Sequence, residues 1–212
     1  MPDDPLFATH PSLFDLRRSA GDFDPARPVP EDLFREIVRR ASLAPSASNL
    51  QPWRVIAVRT PEAKQRLHAV ARQQARILAA PVTLIVVGDR DGYLSTNPFW
   101  DEMAAWLGVD RARIEKSIAG AAASYGESEA TRARYADTNA ALFAMSLMYA
   151  AKSLGVDSHP MGGFDHDGVA RAFALRPAEH VSLLISLGYH DDAKVLRPRR
   201  RRRSYEELVE EA

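Results

Sequence analysis

The stretch PVTLIVVGD, residues 81–89, constrains the fold more than any other. Val82, Leu84, Ile85, Val86 and Val87 follow one another without a polar alternation. A strand with one wet face alternates, whereas a continuous apolar run needs cover on both faces. The run therefore predicts a central buried strand in a sheet with helices packed against it. HVSLLISLGY, residues 180–189, reads as a second buried strand. WRVIAVR, residues 53–59, is rich in β-branched residues and reads as a third.

Helical patterns supply the cover. PSLFDLRRSAGDF, residues 11–23, places Leu13, Phe14 and Leu16 behind a Ser12 cap and predicts a helix stopping near Gly21. PEDLFREIVRRASLA, residues 30–44, has acids in its first turn and Arg39 and Arg40 in its last, as the helix dipole favours. Residues 60–80 predict one helix with Pro61 near its start. Residues 129–155 carry the longest helical pattern, apolar nearly all round between Asn139 and Leu154. They predict a buried central helix ending at Gly155. Short helices are expected over 95–108, 112–126 and 165–175, and a short strand with a Gly-rich turn over 156–165. With 212 residues, 46% of them hydrophobic, and no repeat or linker before residue 194, one α/β-type domain over 1–212 is the economical reading. Residues 194–212 form a basic, then acidic, C-terminal extension.

Several function classes lose support. Lys and Arg number 28 against 28 acids, so no global basic field for nucleic acid is expected. There is no cysteine, hence no disulfide, thiolate nucleophile or cysteine-ligated metal. The six histidines, His10 to His190, lack metal-ligand spacing, and no metal is expected. Ser46 and Ser48 lack a nucleophile-elbow setting. The first residues are acidic with no apolar core for a secretory signal, and no window approaches the ~18 apolar residues of a membrane span. A cytoplasmic protein is expected.

Four local features bear on chemistry. LAPSASNLQPWRV, residues 43–55, puts Pro45, Ser46, Ser48, Asn49, Gln51 and Pro52 before a strand with no glycine to turn the chain. Arg17, Arg18 and Ser19 end a helical pattern; they complement a helix dipole or converge on an anion. Arg199–Arg203 reads first as a solvated charge run or nucleic-acid tail, and second as a phosphate clamp, since guanidinium forks match phosphate oxygens. HPMGGFD, residues 159–165, makes a turn or lets a flat ligand press on backbone. Tyr93, Phe99, Trp100, Trp106 and Tyr125 fill core or form a lid.

In order and spacing, RRSAGDF (17–23), APSASNLQPWRV (44–55), RQQARILAAPVTLIVV (72–87), TNAALFAMSLMYAAKSLGVDSHPMGGFD (138–165), SLLISLGY (182–189) and the late RRRRRSYEELVEE together resemble the FMN-dependent nitroreductase family. The resemblance implies an α+β fold in three layers, a mostly antiparallel central sheet flanked by helices, in an interlocked homodimer whose C-terminal extension is placed to wrap the partner. It implies FMN at the dimer interface, NADH or NADPH as donor, and ping-pong hydride transfer through flavin N5 to a nitroaromatic, quinone or similar flat acceptor. By the same resemblance Arg17, Arg18, Ser19, Arg200 and Arg202 hold the flavin phosphate. Pro45, Ser46, Ser48, Asn49 and Gln51 reach the ring from the partner subunit. Gln73 and Arg76 reach its pyrimidine side, and Pro160, Met161, Gly162 and Gly163 place backbone near N5. No side chain is assigned as catalytic. Two positions depart from the family pattern. Gly21 stands where a basic residue is usual, and Gly162 stands where some members carry an acid. Alternatives are reductive dehalogenation or other flavin chemistry on the same fold, and nucleic-acid binding or assembly through Arg199–Arg203.

Overall fold

A computed structural model describes residues 12–212. His10 and the acidic N-terminal stretch lie outside them. The order is α1 (Leu13–Leu16), α2 (Glu31–Ala41), a 3₁₀ turn (Ala47–Asn49), β1 (Trp53–Val58), α3 (Pro61–Val70), α4 (Ala75–Ala79), β2 (Val82–Asp89), α5 (Phe99–Leu107), a 3₁₀ turn (Arg111–Ile114), α6 (Glu115–Tyr125), α7 (Glu129–Ser153), β3 (Asp157–Met161), α8 (His166–Ala172), β4 (Glu179–Gly188) and α9 (Tyr205–Leu208). This is an α+β fold. Its sheet has four strands in the order β1-β2-β4-β3, and every pairing is antiparallel.

The continuous run in β2 now has its reason. Val82, Leu84 and Val86 point at α2 and α7, where they join Ile37, Phe143 and Leu147 in one core. Ile85 and Val87 point the other way, joining Leu67 of α3 and Val169 of α8 in a second core. Successive side chains on a strand face opposite sides, so a central strand covered on both must be apolar throughout. Thr83 is polar yet fully buried; its Oγ1 lies 2.8 Å from Ser186 Oγ across the β2–β4 pair, which satisfies both hydroxyls. A third cluster under α5 and α6 gathers Leu50, Trp100, Ile118 and Tyr135, so residues 89–125 form a packed unit.

Two helices differ from expectation. The first ends at Leu16, not near Gly21. Arg17 is already extended (φ −69°, ψ 119°), and the Arg199 guanidinium donates to the carbonyls of Phe14, Asp15 and Arg17, taking the place of further helical bonds. The expected helix over 60–80 is broken. Arg72 and Gln73 adopt left-handed backbone (φ 53° each), and Gln73 N–H turns back onto the His68 carbonyl at 3.1 Å. Leu67 and Ile77 pack in the same core. Ten residues of unbroken helix would set them about 80° apart around the axis. The break brings both inward.

Candidate functional site

The N-terminal segment after α1 is held to the far edge of the sheet by backbone. Ser19 bridges Ser158 of β3, and Ala20 N–H donates to the Ser158 carbonyl at 3.0 Å. Phe23 bridges His190 just past β4. The chain beyond residue 190 then passes back over this segment. Arg18 donates to the Arg197 carbonyl, and Arg199 caps α1 as described. These ties place the two ends of the described chain side by side and leave between them a cavity of about 680 Å³.

Arg17, Arg18, Ser19, Arg76, Arg200 and Arg202 all line that cavity. Within the tail the arginines differ in use. Arg199 binds the α1 carbonyls and also lines the cavity, Arg200 and Arg202 line it, and Arg201, which does not, pairs with Glu207 at 2.6 Å. The run is therefore not displayed as a uniform basic surface. Among the described residues, none of Arg17, Arg18, Arg76, Arg200 and Arg202 has a carboxylate within salt-bridge distance. Arg76 Nε is buried with no hydrogen-bond partner. A converging set of guanidiniums, one with an orphaned donor, fits an anion with several acceptor oxygens. Gly21 also lines this cavity, and a side chain there would approach Arg76 Nη2 at 3.9 Å. Arg76 thus stands beside the glycine at position 21.

The other implied residues lie elsewhere in the chain. Gly162 and Gly163 are exposed, and a Cβ at either would meet nothing within 4 Å, so internal packing does not require glycine there. Met161 is buried in the second core, leaving only its backbone for a ligand. Pro160 is half-buried beside it. Gln73 is exposed at the break between α3 and α4; it is Gln74 whose Nε2 donates to the Gly163 carbonyl, at 3.2 Å. Pro45, Ser46, Ser48 and Asn49 do not line the arginine cavity, and Gln51 lines a different one, of about 610 Å³. This polar loop is stiff without glycine. Ser48, Asn49 and Gln51 all have positive φ (50°, 55° and 47°), a conformation costly for side-chain-bearing residues. Ser46 Oγ accepts from Gln51 N–H at 3.0 Å, closing the loop on itself.

Three residues missed by sequence reading matter here. Asn139, on α7, is buried; its Oδ1 accepts from Ala47 N–H at 2.9 Å and its Nδ2 donates to the Tyr135 carbonyl at 2.7 Å. It pins the strained loop to the central helix. A single asparagine in an apolar helix was the available signal. His159 and His190 both line the arginine cavity; as scattered histidines they carried no sequence signal.

A cluster of Asp137, His180 and Ser182 has the composition of a hydrolytic triad but not its geometry. Asp137 Oδ1 accepts from Ser182 Oγ at 2.8 Å and lies 2.6 Å from His180 Nε2. Serine and acid thus meet the same ring nitrogen, while His180 Nδ1 is buried without a partner. A working triad uses one nitrogen for each. Among the described residues no group of acids, histidines or cysteines is arranged to hold a metal, and no helix is long and apolar enough to cross a membrane.

The model of the family described as "Nitroreductase family" matches residues 16–189. An NADH dehydrogenase of Thermus thermophilus is 36% identical over 164 residues, 76% of this chain and 78% of its own. The solved structure of ydfN from Bacillus subtilis, provisionally described as a nitroreductase, superposes with a TM-score of 0.87 at 27% identity, covering 94% of this chain and 97% of that one. A structure from Exiguobacterium sibiricum, solved in complex with FMN, gives a TM-score of 0.81 at 24% identity and covers 97% and 98%.

Proposed function

The chain belongs to the nitroreductase family, and from that premise we propose that it is an FMN-dependent NAD(P)H oxidoreductase acting on a nitroaromatic, quinone or similar flat acceptor. The observation that carries the proposal is the cavity where Arg17, Arg18, Arg76, Arg200 and Arg202 meet without carboxylate partners. FMN held there would supply hydride-transfer chemistry through N5 between a nicotinamide and the acceptor.

The chain's own residues bind and orient. Arg17, Arg18, Arg200 and Arg202, with the Ser19 hydroxyl, hold the phosphate. That group carries nearly two negative charges and accepts several charge-assisted hydrogen bonds. Arg76, on the wall of the same cavity, would favour negative charge on the pyrimidine side of the ring. Gly162 and Gly163 leave open space above their backbone, so a flat ring and a second flat reactant can approach without meeting side chains. Gln74, by holding the Gly163 carbonyl, keeps that turn in place.

The polar loop needs a second copy of the chain. Pro45, Ser46, Ser48, Asn49 and Gln51 are rigidly shaped yet absent from the arginine cavity of their own subunit, as a contribution to a partner's flavin requires. Leu13, Phe14, Leu16, Leu43 and Leu142 are exposed on the single chain. Phe14 packs on Tyr149 of α7 at 4.7 Å between ring centroids, so α1 and α7 share one apolar surface for that contact. The tail from residue 194 carries exposed Val195, Tyr205 and Leu208, placed to extend the same interface.

The test is direct. Purified protein is expected to be yellow, with flavin bands near ~450 nm, to run as a dimer, and to bleach anaerobically on adding NADH or NADPH. A colourless monomer that does not bind added FMN would overturn the reading.

A further inference from the structure

His159 is the one ring in the arginine cavity that belongs to β3, and its hydrogen bonding fixes its tautomer. Its Nδ1 lies 2.7 Å from the Ala20 carbonyl oxygen. A carbonyl oxygen only accepts, so Nδ1 carries the proton. Nε2 makes no hydrogen bond among the described residues and is the ring's uncommitted nitrogen. The charged surroundings are lopsided. Arg76 faces the cavity from α4; Arg17, Arg18 and Asp22 from the N-terminal segment; His190 from the end of β4; and Arg197, Arg199, Arg200 and Arg202 from the tail. Among the described residues Asp22 is the only acid lining the cavity.

In that setting a second proton on His159 is disfavoured. Burial, and then the nearby Arg76 cation, hold the imidazole below its ordinary range. An anion in the cavity reverses both influences: it offsets Arg76 and gives Nε2–H an acceptor. We propose that His159 is a proton-linked ligand of the bound phosphate ester, taking a proton from solvent onto Nε2 as the ester enters and donating it to the anion. The inference rests on the FMN reading and adds to it a residue outside the arginines. The only bond formed is N–H, and the proton comes from the buffer.

The sign of the linkage follows. A group whose pKa is higher in the bound state strengthens binding at low pH, and that gain is lost as pH rises through the bound-state value. The ester's own second ionisation, near pH 6, works in the opposite direction, since the arginines favour its dianion. Uptake measured above that range therefore reports the protein.

Isothermal titration of the dimer with FMN near pH 7, in two buffers of different ionisation enthalpy, reads the protons directly. Wild-type protein is expected to take up a fraction of a proton per FMN, and His159→Gln none. Wild-type affinity is expected to fall by up to about tenfold between about pH 6.5 and 8.5, corresponding to a pKa rise of one unit, while the variant stays flat. Riboflavin, which lacks the phosphate, is expected to bind weakly without uptake. NMR titration of the His159 ring in wild-type protein, with and without FMN, makes the same test without a substitution and is expected to show the pKa rise. Equal uptake in His159→Gln, or an unchanged His159 pKa on FMN binding, would overturn the proposal and leave the FMN reading standing. Failure of the wild type to bind FMN would overturn both.

Discussion

The two ends of β4 each gather arginines, and they treat them oppositely. At its start, Glu179 is buried and accepts from Arg54 at 2.6 and 2.8 Å and from Arg176 at 2.5 and 2.8 Å. Burial alone would raise its pKa; the hydrogen bonds from Arg54 and Arg176 outweigh that and hold it at about 2. Beyond its end, around His190, Arg17, Arg18, Arg76, Arg200 and Arg202 line one cavity, and among the described residues none of them is ion-paired, although Asp22 shares the wall. One cluster finds its counter-charge within the chain and serves the fold. The other has no such pairing among the described residues. The number of arginines does not distinguish them; the location of the counter-charge does.

The sharpest contrast is in what a substitution damages. Glu179→Gln removes the negative charge shared by two guanidiniums and turns one acceptor oxygen into a donor; it is expected to cost about 3 kcal/mol of stability, the low end for a buried pair because both arginines keep some solvent. Chemical denaturation would measure it, and FMN affinity should change little. The loss should also depend on pH. Glu179 is depressed, so its contribution is present above the unfolded carboxylate range near ~4.3 and is lost as pH falls toward about 2. The difference between wild type and variant should narrow over that window. An undiminished difference at low pH would show that Glu179 acts by packing instead.

Arg202→Ala is expected to do the reverse. FMN binding should weaken by about 30-fold, near 2 kcal/mol for a charge-assisted contact, while the flavin-free protein melts no lower than wild type. Fluorescence titration and a melting scan without FMN separate the two effects. Equal losses of stability and affinity would erase the distinction between the clusters. Asn139→Leu orphans the Ala47 N–H and is expected to cost about 1.5 kcal/mol, with faster amide exchange confined to residues 45–51. Smallest of all, Arg201→Ala breaks only an exposed pair with Glu207 and should leave FMN affinity unchanged. A loss matching that of Arg202→Ala would mean that the whole run, not alternate members, binds the phosphate.

The parts legible in the sequence are those where one physical demand acts alone. PVTLIVVGD had to be covered on both sides, and α7 had to be buried, because burial decides apolar runs. Residues 60–80 misled because every local preference there favours helix; only the need for Leu67 and Ile77 to enter one core breaks it, and that need is tertiary. Glu179 and Arg54, 125 positions apart, have no local signature. The convergence of Arg17 and Arg18 with Arg200 and Arg202 came from resemblance, since no spacing rule links residues so distant. The partners of His159 and Asn139, Ala20 and Ala47, contribute backbone groups, which any sequence supplies, so neither contact has a sequence signature, although a lone asparagine in an apolar helix marks Asn139 itself.

The division of labour along Arg199–Arg203 has a corollary for how the tail seats itself. Four successive positions, 199 to 202, each have a use in anchoring, in lining the cavity or, for Arg199, in both, and the run is five long. Sliding the chain by one residue, so that Arg200–Arg203 take the four places, would still deliver a guanidinium to each, whereas a slip the other way would bring in Pro198 and a slip by two would bring in Ser204. The homopolymer therefore tolerates a single slip. The choice between the two seatings falls to the Arg201–Glu207 pair, which needs Arg201 outside the cavity; the Ser204–Glu207 cap is local and travels with the chain.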